Sequence, residues 1–313
     1  MAATHIPVMG RETLEFLEPR GKSLIVDGTV GDGGHAELIL KHSGPGCRVL
    51  GIDRDPEILE RARRRLAPYG DRVILTHGNF RDVGRLLNRL GFEAMDGLLL
   101  DLGMSSFQVD SPERGFSFLR EGPLDMRMDR QERETAADLL VRLSDRELEK
   151  LFRTFGEEKH SKRIVREIRK AQGQRPITTT RQLAHILSSA ARASRKSSIH
   201  PATRSFQALR IAVNAELEHL EAGLQGSLDY LRPGGRLVVL SYHSLEDRRV
   251  KEFFKAEARG CICPPDLPVC RCGRRPRLRI LTRRVVRPSP KEVRDNPRAS
   301  SARLRAAERL HES

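Results

Sequence analysis

Three observations predict an α/β fold, a parallel sheet covered by helices and interrupted by an all-helical insertion. Apolar runs end repeatedly in a carboxylate, a glycine-rich turn directly follows the first run, and the strand–helix alternation lapses after residue 104 and resumes at 206. The chain has 313 residues, enough for one large domain and a smaller module.

The first strand is Ser23-Leu24-Ile25-Val26-Asp27. Gly28-Thr29-Val30-Gly31-Asp32-Gly33-Gly34-His35 follows and opens a helix over 36–42. The second strand, Arg48-Val49-Leu50-Gly51-Ile52-Asp53, also ends in Asp. The helix over 57–66 starts behind Pro56, whose fixed φ suits a first turn. Val73-Ile74-Leu75-Thr76 is a third strand, 83–90 a helix, and Gly97-Leu98-Leu99-Leu100-Asp101 a fourth strand. These runs do not alternate apolar with polar, which suits strands buried on both faces of a parallel sheet.

Residues 104–130 are rich in Gly, Pro, Ser and charge and read as an extended loop. Residues 135–195 then read as helical. Ser144 with Glu147 three positions on makes a capping box, and Leu148, Leu151, Phe152 and Phe155 follow at helical spacing. A further helix over 181–192 has Thr180 as its cap. The insertion is expected to span 108–204, leaving 1–107 and 205–313 as one discontinuous domain. A long amphipathic helix over 206–231 carries Val213, Leu217, Leu220, Leu224, Leu228 and Leu231, and Pro233-Gly234-Gly235 stops it. Arg236-Leu237-Val238-Val239-Leu240-Ser241 is a fifth strand, 245–258 a helix and 278–282 a final strand. The Arg-rich tail is expected to be partly disordered until it meets a partner.

Lys and Arg number 57 against 42 Asp and Glu, a net charge of +15. The excess concentrates over 271–309, in runs such as Arg274-Arg275-Pro276-Arg277 and Arg283-Arg284. A polyanion partner is expected, because Lys and Arg gain affinity from phosphate counterion release. With no Trp and three Tyr, no aromatic platform for stacking single strands is evident. No window approaches eighteen apolar residues, so no membrane span is expected. Residues 1–20 lack a basic segment followed by an apolar core, so the expectation is no signal peptide and a cytoplasmic location. Cys47 stands alone and reads as a small buried hydrophobe. Cys261, Cys263, Cys270 and Cys272 form C-x-C-x6-C-x-C. In a cytosolic chain this pattern suggests thiolate ligation of a metal rather than disulfides. The usual zinc spacing is C-x2-C, so zinc and a metal-free ordered loop both stay open and no metal ligand is assigned.

A strand, a glycine-rich turn and a helix make a nucleotide-binding start, since glycines let the backbone approach a ligand. Gly31-x-Gly33-x-x-Ala36 also fits a dinucleotide fingerprint, so the turn alone does not separate NAD from S-adenosylmethionine. The carboxylates discriminate better. Asp53 ends the second strand, where it can accept both hydroxyls of a ribose; NAD enzymes share this feature. Asp27, just before the glycines, is more typical of methyltransferases. Asn79-Phe80 follows the third strand, where an aromatic ring can pack on an adenine. Asp101 ends the fourth, and in open α/β sheets ligands bind at the carboxyl ends of strands.

On these residues the chain resembles the RsmH (MraW) family of small-subunit rRNA cytosine-N4 methyltransferases. The match includes His5-Ile6-Pro7-Val8, Asp27-Gly28-Thr29-Val30-Gly31-Asp32-Gly33-Gly34-His35, Gly51-Ile52-Asp53-Arg54-Asp55-Pro56 and Asp101-Leu102-Gly103-Met104-Ser105-Ser106. It continues through Glu113-Arg114-Gly115-Phe116-Ser117-Phe118, Gly122-Pro123-Leu124-Asp125-Met126-Arg127-Met128, His200-Pro201-Ala202-Thr203-Arg204-Ser205-Phe206 and Ser241-Tyr242-His243-Ser244-Leu245-Glu246-Asp247-Arg248. The cysteine-rich segment occurs in only part of that family, which leaves its role open. The resemblance implies a Rossmann-like class I S-adenosylmethionine-dependent methyltransferase fold. It implies one cytidine of the 16S rRNA decoding region as target, within the small ribosomal subunit, with neither membrane nor DNA as partner. It implies S-adenosylmethionine contacts at Gly33, Gly34, His35, Asp53, Phe80, Asp101 and Gln108; Gln108 rests on the resemblance alone. Asp101, or the loop through Ser105, is placed to accept a hydrogen bond from the cytosine amine. His243 reads equally as a contact to RNA or proton acceptor and as a structural histidine. No catalytic base is assigned.

Overall fold

The computed structural model describes residues 7–190, 200–264, 269 and 271–311; His5, Ile6 and Cys270 lie outside them. The chain begins α1 (Gly10–Leu17), β1 (Leu24–Asp27), α2 (Gly34–His42), β2 (Arg48–Asp53), α3 (Pro56–Leu66), β3 (Val73–His77), α4 (Val83–Arg89) and β4 (Met95–Asp101). Six helices follow: α5 (Ser106–Asp110), α6 (Ala136–Arg142), α7 (Asp145–Phe155), α8 (Ser161–Gln172), α9 (Thr180–Ala190) and α10 (Thr203–Asn214). The chain ends with α11 (Glu216–Leu228), β5 (Leu231–Ser241), α12 (Ser244–Ala258), β6 (Leu278–Ile280), α13 (Pro290–Asp295) and β7 (Arg303–Arg309). The chain forms two compact units, Met1–Gly103 with Leu217–Ser313, and Met104–Glu216.

The first unit holds one sheet in the order β3-β2-β1-β4-β5-β7-β6. The first five strands are parallel, and β7 runs antiparallel to both neighbours. Alternate strand residues feed two cores. Val26, Leu50, Ile52, Leu98, Leu100, Leu237 and Val239 pack with Val83, Leu87, Leu220, Leu224, Val250 and Phe254 of α4, α11 and α12. Ile25, Val49, Leu99, Val238 and Leu240 pack with Leu17, Ile39, Leu59, Ala62 and Leu66 of α1, α2 and α3. Helices thus cover both faces, as the unalternating apolar runs require. The order reverses where β1 lies between β2 and β4, the place where open α/β sheets bind ligands. Among the described residues no helix is long and apolar enough to cross a membrane.

The second unit is helical and has its own core, built from Leu139 and Leu140 of α6, Leu148, Leu151 and Phe152 of α7, Ile164 and Ile168 of α8, Leu183 and Leu187 of α9, and Phe206 and Leu209 of α10. The capping box of Ser144 and Glu147 is present at the start of α7. The expected helix over 206–231 is two helices, because Ala215 takes a left-handed conformation (φ 47) and breaks it. The part before the break packs into the helical core, so this unit runs to Glu216 rather than ending at 204. Pro233-Gly234-Gly235 lies inside β5, whose pairing with β4 shifts register between Met95 and Gly97.

The tail differs most from expectation. Rather than a disordered segment, it supplies β7, between β5 and β6. Leu304, Ala306 and Ala307 are its buried apolar residues, and Arg303, Arg305 and Glu308 pair with opposite charges. Glu308 meets Arg236 of β5 at 3.0 Å and Arg279 of β6 at 2.7 Å, its register partners on either side. Arg305 meets Asp247 of α12 at 2.6 Å.

Candidate active site

The candidate residues of the first unit stand at or follow the carboxyl ends of β1, β2, β3 and β4. The turn after β1 needs glycine, since Gly31 (φ 53) and Gly33 (φ 83) take left-handed conformations that disfavour side chains. Gly33 caps α2 and Gly34 is its first residue. The turn is stitched to its neighbours: Gly28 N–H donates to Leu99 C=O at 2.9 Å and Val30 N–H to Ile52 C=O at 2.9 Å.

Asp53 braces this turn. Its Oδ2 accepts from Gly31 N–H and its Oδ1 from Asp55 N–H, both at 3.0 Å. Burial pushes its carboxyl up to about 6, against the pull of those two donors. Phe80 follows β3, half-buried, and opens a short turn capped by Asn79. A Cβ at Gly223 of α11 would stand 2.6 Å from its ring, and one at Gly28 would stand 3.1 Å from its Cβ. Two glycines therefore make the slot that the ring occupies.

Asp101 is held from three directions. Its backbone N–H donates to Thr29 Oγ1 at 2.6 Å, its Oδ1 accepts from Tyr242 OH at 2.7 Å, and its Oδ2 lies 3.3 Å from His35 Nε2. His35 is buried, which disfavours its cation, but the hydrogen bond and charge of Asp101, helped by Asp27, win and raise its pKa. Burial, then the charge of Asp101, pushes the Tyr242 hydroxyl well above its ordinary range, so it stays a donor to the carboxylate. Gly103 (φ 107) brings the backbone against the Tyr242 ring, where a Cβ would stand 3.3 Å away.

Asp27 lies beneath. It is 1% exposed, its Oδ1 accepts from Thr29 N–H at 3.3 Å, and its Oδ2 has no hydrogen-bond partner among the described residues. Burial pushes its carboxyl up to about 7, with His35 and the Thr29 N–H lowering it and Asp101 and Asp53 raising it. A buried carboxyl with one oxygen unpartnered among the described residues either holds its own proton or is a candidate to meet a ligand's donor.

Six of the seven predicted cofactor residues, Gly33, Gly34, His35, Asp53, Phe80 and Asp101, thus stand on the first unit. Gln108 belongs to the second, buried on α5, where its Oε1 accepts from Ser105 N–H and Ser105 Oγ accepts from Gln108 N–H. His243 caps α12: its Nδ1 accepts from Glu246 N–H at 3.4 Å, and the buried Glu246 carboxylate accepts from the His243 N–H. Capping uses Nδ1, while Nε2 lies 3.1 Å from Glu246 Oε1. Thr29 and Tyr242 are the residues that sequence reasoning does not find, and Tyr242 stands 141 positions from the carboxylate it holds. Its signals are its place directly after the fifth strand and its presence in the matched string over 241–248, neither of which names Asp101 as its partner.

Carboxylates at neighbouring strand ends, around a glycine turn on this sheet order, define a Rossmann-like class I methyltransferase. The chain belongs to the MraW methylase family, whose model matches residues 2–310. It is 53% identical over 307 residues to "Ribosomal RNA small subunit methyltransferase H" of Syntrophotalea carbinolica, covering 98% of each chain. Proteins of the same name from Geobacter sulfurreducens and Thermomicrobium roseum are similar too. The first is 53% identical over 311 residues, covering 99% of this chain and 100% of the relative. The second is 52% identical over 310 residues, covering 99% and 95%.

Proposed function

We propose that this chain methylates the exocyclic N4 of a cytidine in the decoding region of 16S rRNA, with S-adenosylmethionine as methyl donor. The observation that carries the reading is a strand-end carboxylate cluster in a chain that matches a methylase family from residue 2 to 310. The residues fit the cofactor. Gly31 has no neighbour nearer than 3.8 Å to where a Cβ would stand, Gly33 and Gly34 start α2 behind it, and Asp53 keeps lone pairs for ribose hydroxyls. The Phe80 ring stands ready for an adenine face, and the orphan Oδ2 of Asp27 is a candidate to meet a ligand's donor. His35 and Asp101 complete the set; Gln108 is kept on the resemblance alone.

When bound, S-adenosylmethionine supplies a sulfonium methyl group that is already activated, so no covalent enzyme intermediate is needed. The protein's work is alignment and exclusion of water. The N4 amine is a weak nucleophile because its lone pair is delocalised into the ring. To accept a methyl group, the amine would have to give up one proton, so an acceptor near N4 would help. Asp101, fixed by Tyr242 and His35 and 23% exposed at its side chain, is assigned to the cofactor; an acceptor role toward the amine N–H is the alternative that kinetics can separate, and no catalytic base is assigned. The target base must leave its stack to enter such a site, by flipping or from a single strand. We assign substrate recognition to the second unit together with the basic surface of the first, and place the reaction on the small subunit in the cytoplasm.

The test is methylation of small ribosomal subunits isolated from cells lacking this enzyme, with the product mapped by mass spectrometry. N4-methylcytidine at one position supports the reading. Cofactor binding without methylation of the subunit or its rRNA, or methylation on another atom, overturns it.

A further inference from the structure

Between Arg259 and Arg277, in the first unit, no described residue is buried. Ile262 and Val269 are 53% and 68% exposed. An apolar core does not hold this segment. Its ends are nevertheless clamped on α12: Arg277 N–H donates to Glu257 C=O at 2.8 Å, and Arg274 Nη2 donates to Ala256 C=O at 2.7 Å. Between the clamps, the sulfurs of Cys261, Cys263 and Cys272 converge, all within 4.8 Å of one another.

Cys272 Sγ lies 3.8 Å from Cys261 Sγ, far beyond the S–S bond of about 2.05 Å. In a tetrahedral zinc site with Zn–S bonds of about 2.3 Å, neighbouring sulfurs stand about 3.8 Å apart. The Cys263 N–H points at Cys261 Sγ at 3.4 Å, a donor that steadies a thiolate. Gly273 (φ 59) turns the chain directly after Cys272. Arg259, Arg271 and Arg275 flank the thiols in sequence. The motif carries one further thiol in the sequence, Cys270, which lies outside the described residues.

We infer that Cys261, Cys263 and Cys272 form a structural zinc site between α12 and β6, separate from the strand-end site. Thiolates displace water from the ion and release their protons; no oxidation is involved. The site stands independently of the methyltransferase reading.

The measurement is metal content of the full chain purified under reducing conditions, by elemental mass spectrometry after gel filtration. About one zinc per chain is expected. Cobalt substitution should give a thiolate-to-cobalt charge-transfer band and tetrahedral d–d absorption. Cys261→Ser or Cys272→Ser should lose the zinc, while Cys47→Ala, whose sulfur lies in the core elsewhere, should keep it. Absence of zinc from wild type even after reconstitution, or a cobalt spectrum without thiolate bands, overturns the site. A wild-type mass short of two hydrogens per cysteine pair would assign disulfides instead and overturn it equally.

Discussion

A carboxyl group buried without a partner for one oxygen resists ionisation, and Asp27 carries that cost in its pKa of about 7. In the unfolded chain the same group ionises near 3.8. Between these values the folded state holds the extra proton, so stability falls as pH rises through the window. Asp27→Asn removes that penalty. In the protein without cofactor, the variant should be more stable at about pH 8 by on the order of 2–4 kcal/mol, the gain vanishing near pH 4. Urea unfolding across that range checks it; a difference independent of pH would show that Asp27 is not the group responsible. At the Asp101 carboxylate, Asp101→Asn should mainly raise the KM for S-adenosylmethionine, since the carboxylate is assigned to the cofactor. Tyr242→Phe removes one donor to a charged group, about 1.5–3 kcal/mol, and should weaken cofactor affinity tenfold or more. A direct binding titration with single-turnover methylation separates the roles. Wild-type affinity with kcat reduced about a hundredfold, worth about 2.7 kcal/mol, would move Asp101 and Tyr242 to the methyl-accepting side. Asp27, Asp53 and Asp101 are legible in the sequence because a strand-ending Asp is a local pattern. Tyr242 is not, because only the fold brings it to Asp101.

At the level of elements, the first four strands and the helices between them are legible from apolar runs and caps, and β7 is not. Its sequence, Arg303-Leu304-Arg305-Ala306-Ala307-Glu308-Arg309, has one large apolar residue and reads as a basic tail. Small alanines and paired charges make it a strand that lies inside the sheet, protecting the edge of β5. The break at Ala215 is equally hidden, since alanine favours helix and only packing selects the left-handed turn. Glu308 is the sharpest test of this placement. It is 13% exposed at its side chain and sits between Arg236 and Arg279. Glu308→Lys puts three cations in a row and takes from Arg236, itself 14% exposed, its cross-strand partner, leaving it Glu18 at 2.8 Å. Loss of about 1–3 kcal/mol of stability is expected, below the range for a fully buried pair because Arg236 keeps one carboxylate and Arg279 is 61% exposed. Thermal unfolding reads it; an unchanged midpoint would mean that the tail does not complete the sheet.

For the whole molecule, the +15 net charge points to RNA, but the structure sorts the arginines that composition lumps together. In the second unit, Arg169 is committed to its own fold: it donates to Asp145, to the carbonyls of Leu140 and Leu143, and to Gln172. Arg166 and Lys170 on the same helix are exposed. In the first unit, Arg274 and Arg277 are tied to Glu257, and Arg279 to Glu308. Arg275, Arg283, Arg284 and Arg287 are exposed and are the ones a phosphate backbone can reach. Each phosphate that the protein no longer neutralises flattens log K against log salt by about 0.7–0.9. Reversing Arg275, Arg283, Arg284 and Arg287 to Glu should lower affinity for small-subunit rRNA and reduce that slope by roughly 2–3, with cofactor binding unchanged. Arg166→Glu with Lys170→Glu should reduce it by about 1–2. Arg274→Ala and Arg277→Ala should instead lower the unfolding temperature and leave the slope near wild type, because their partners are internal. A salt slope that falls as much with the internally paired arginines as with the exposed four would mean that net charge, not a defined surface, grips the RNA.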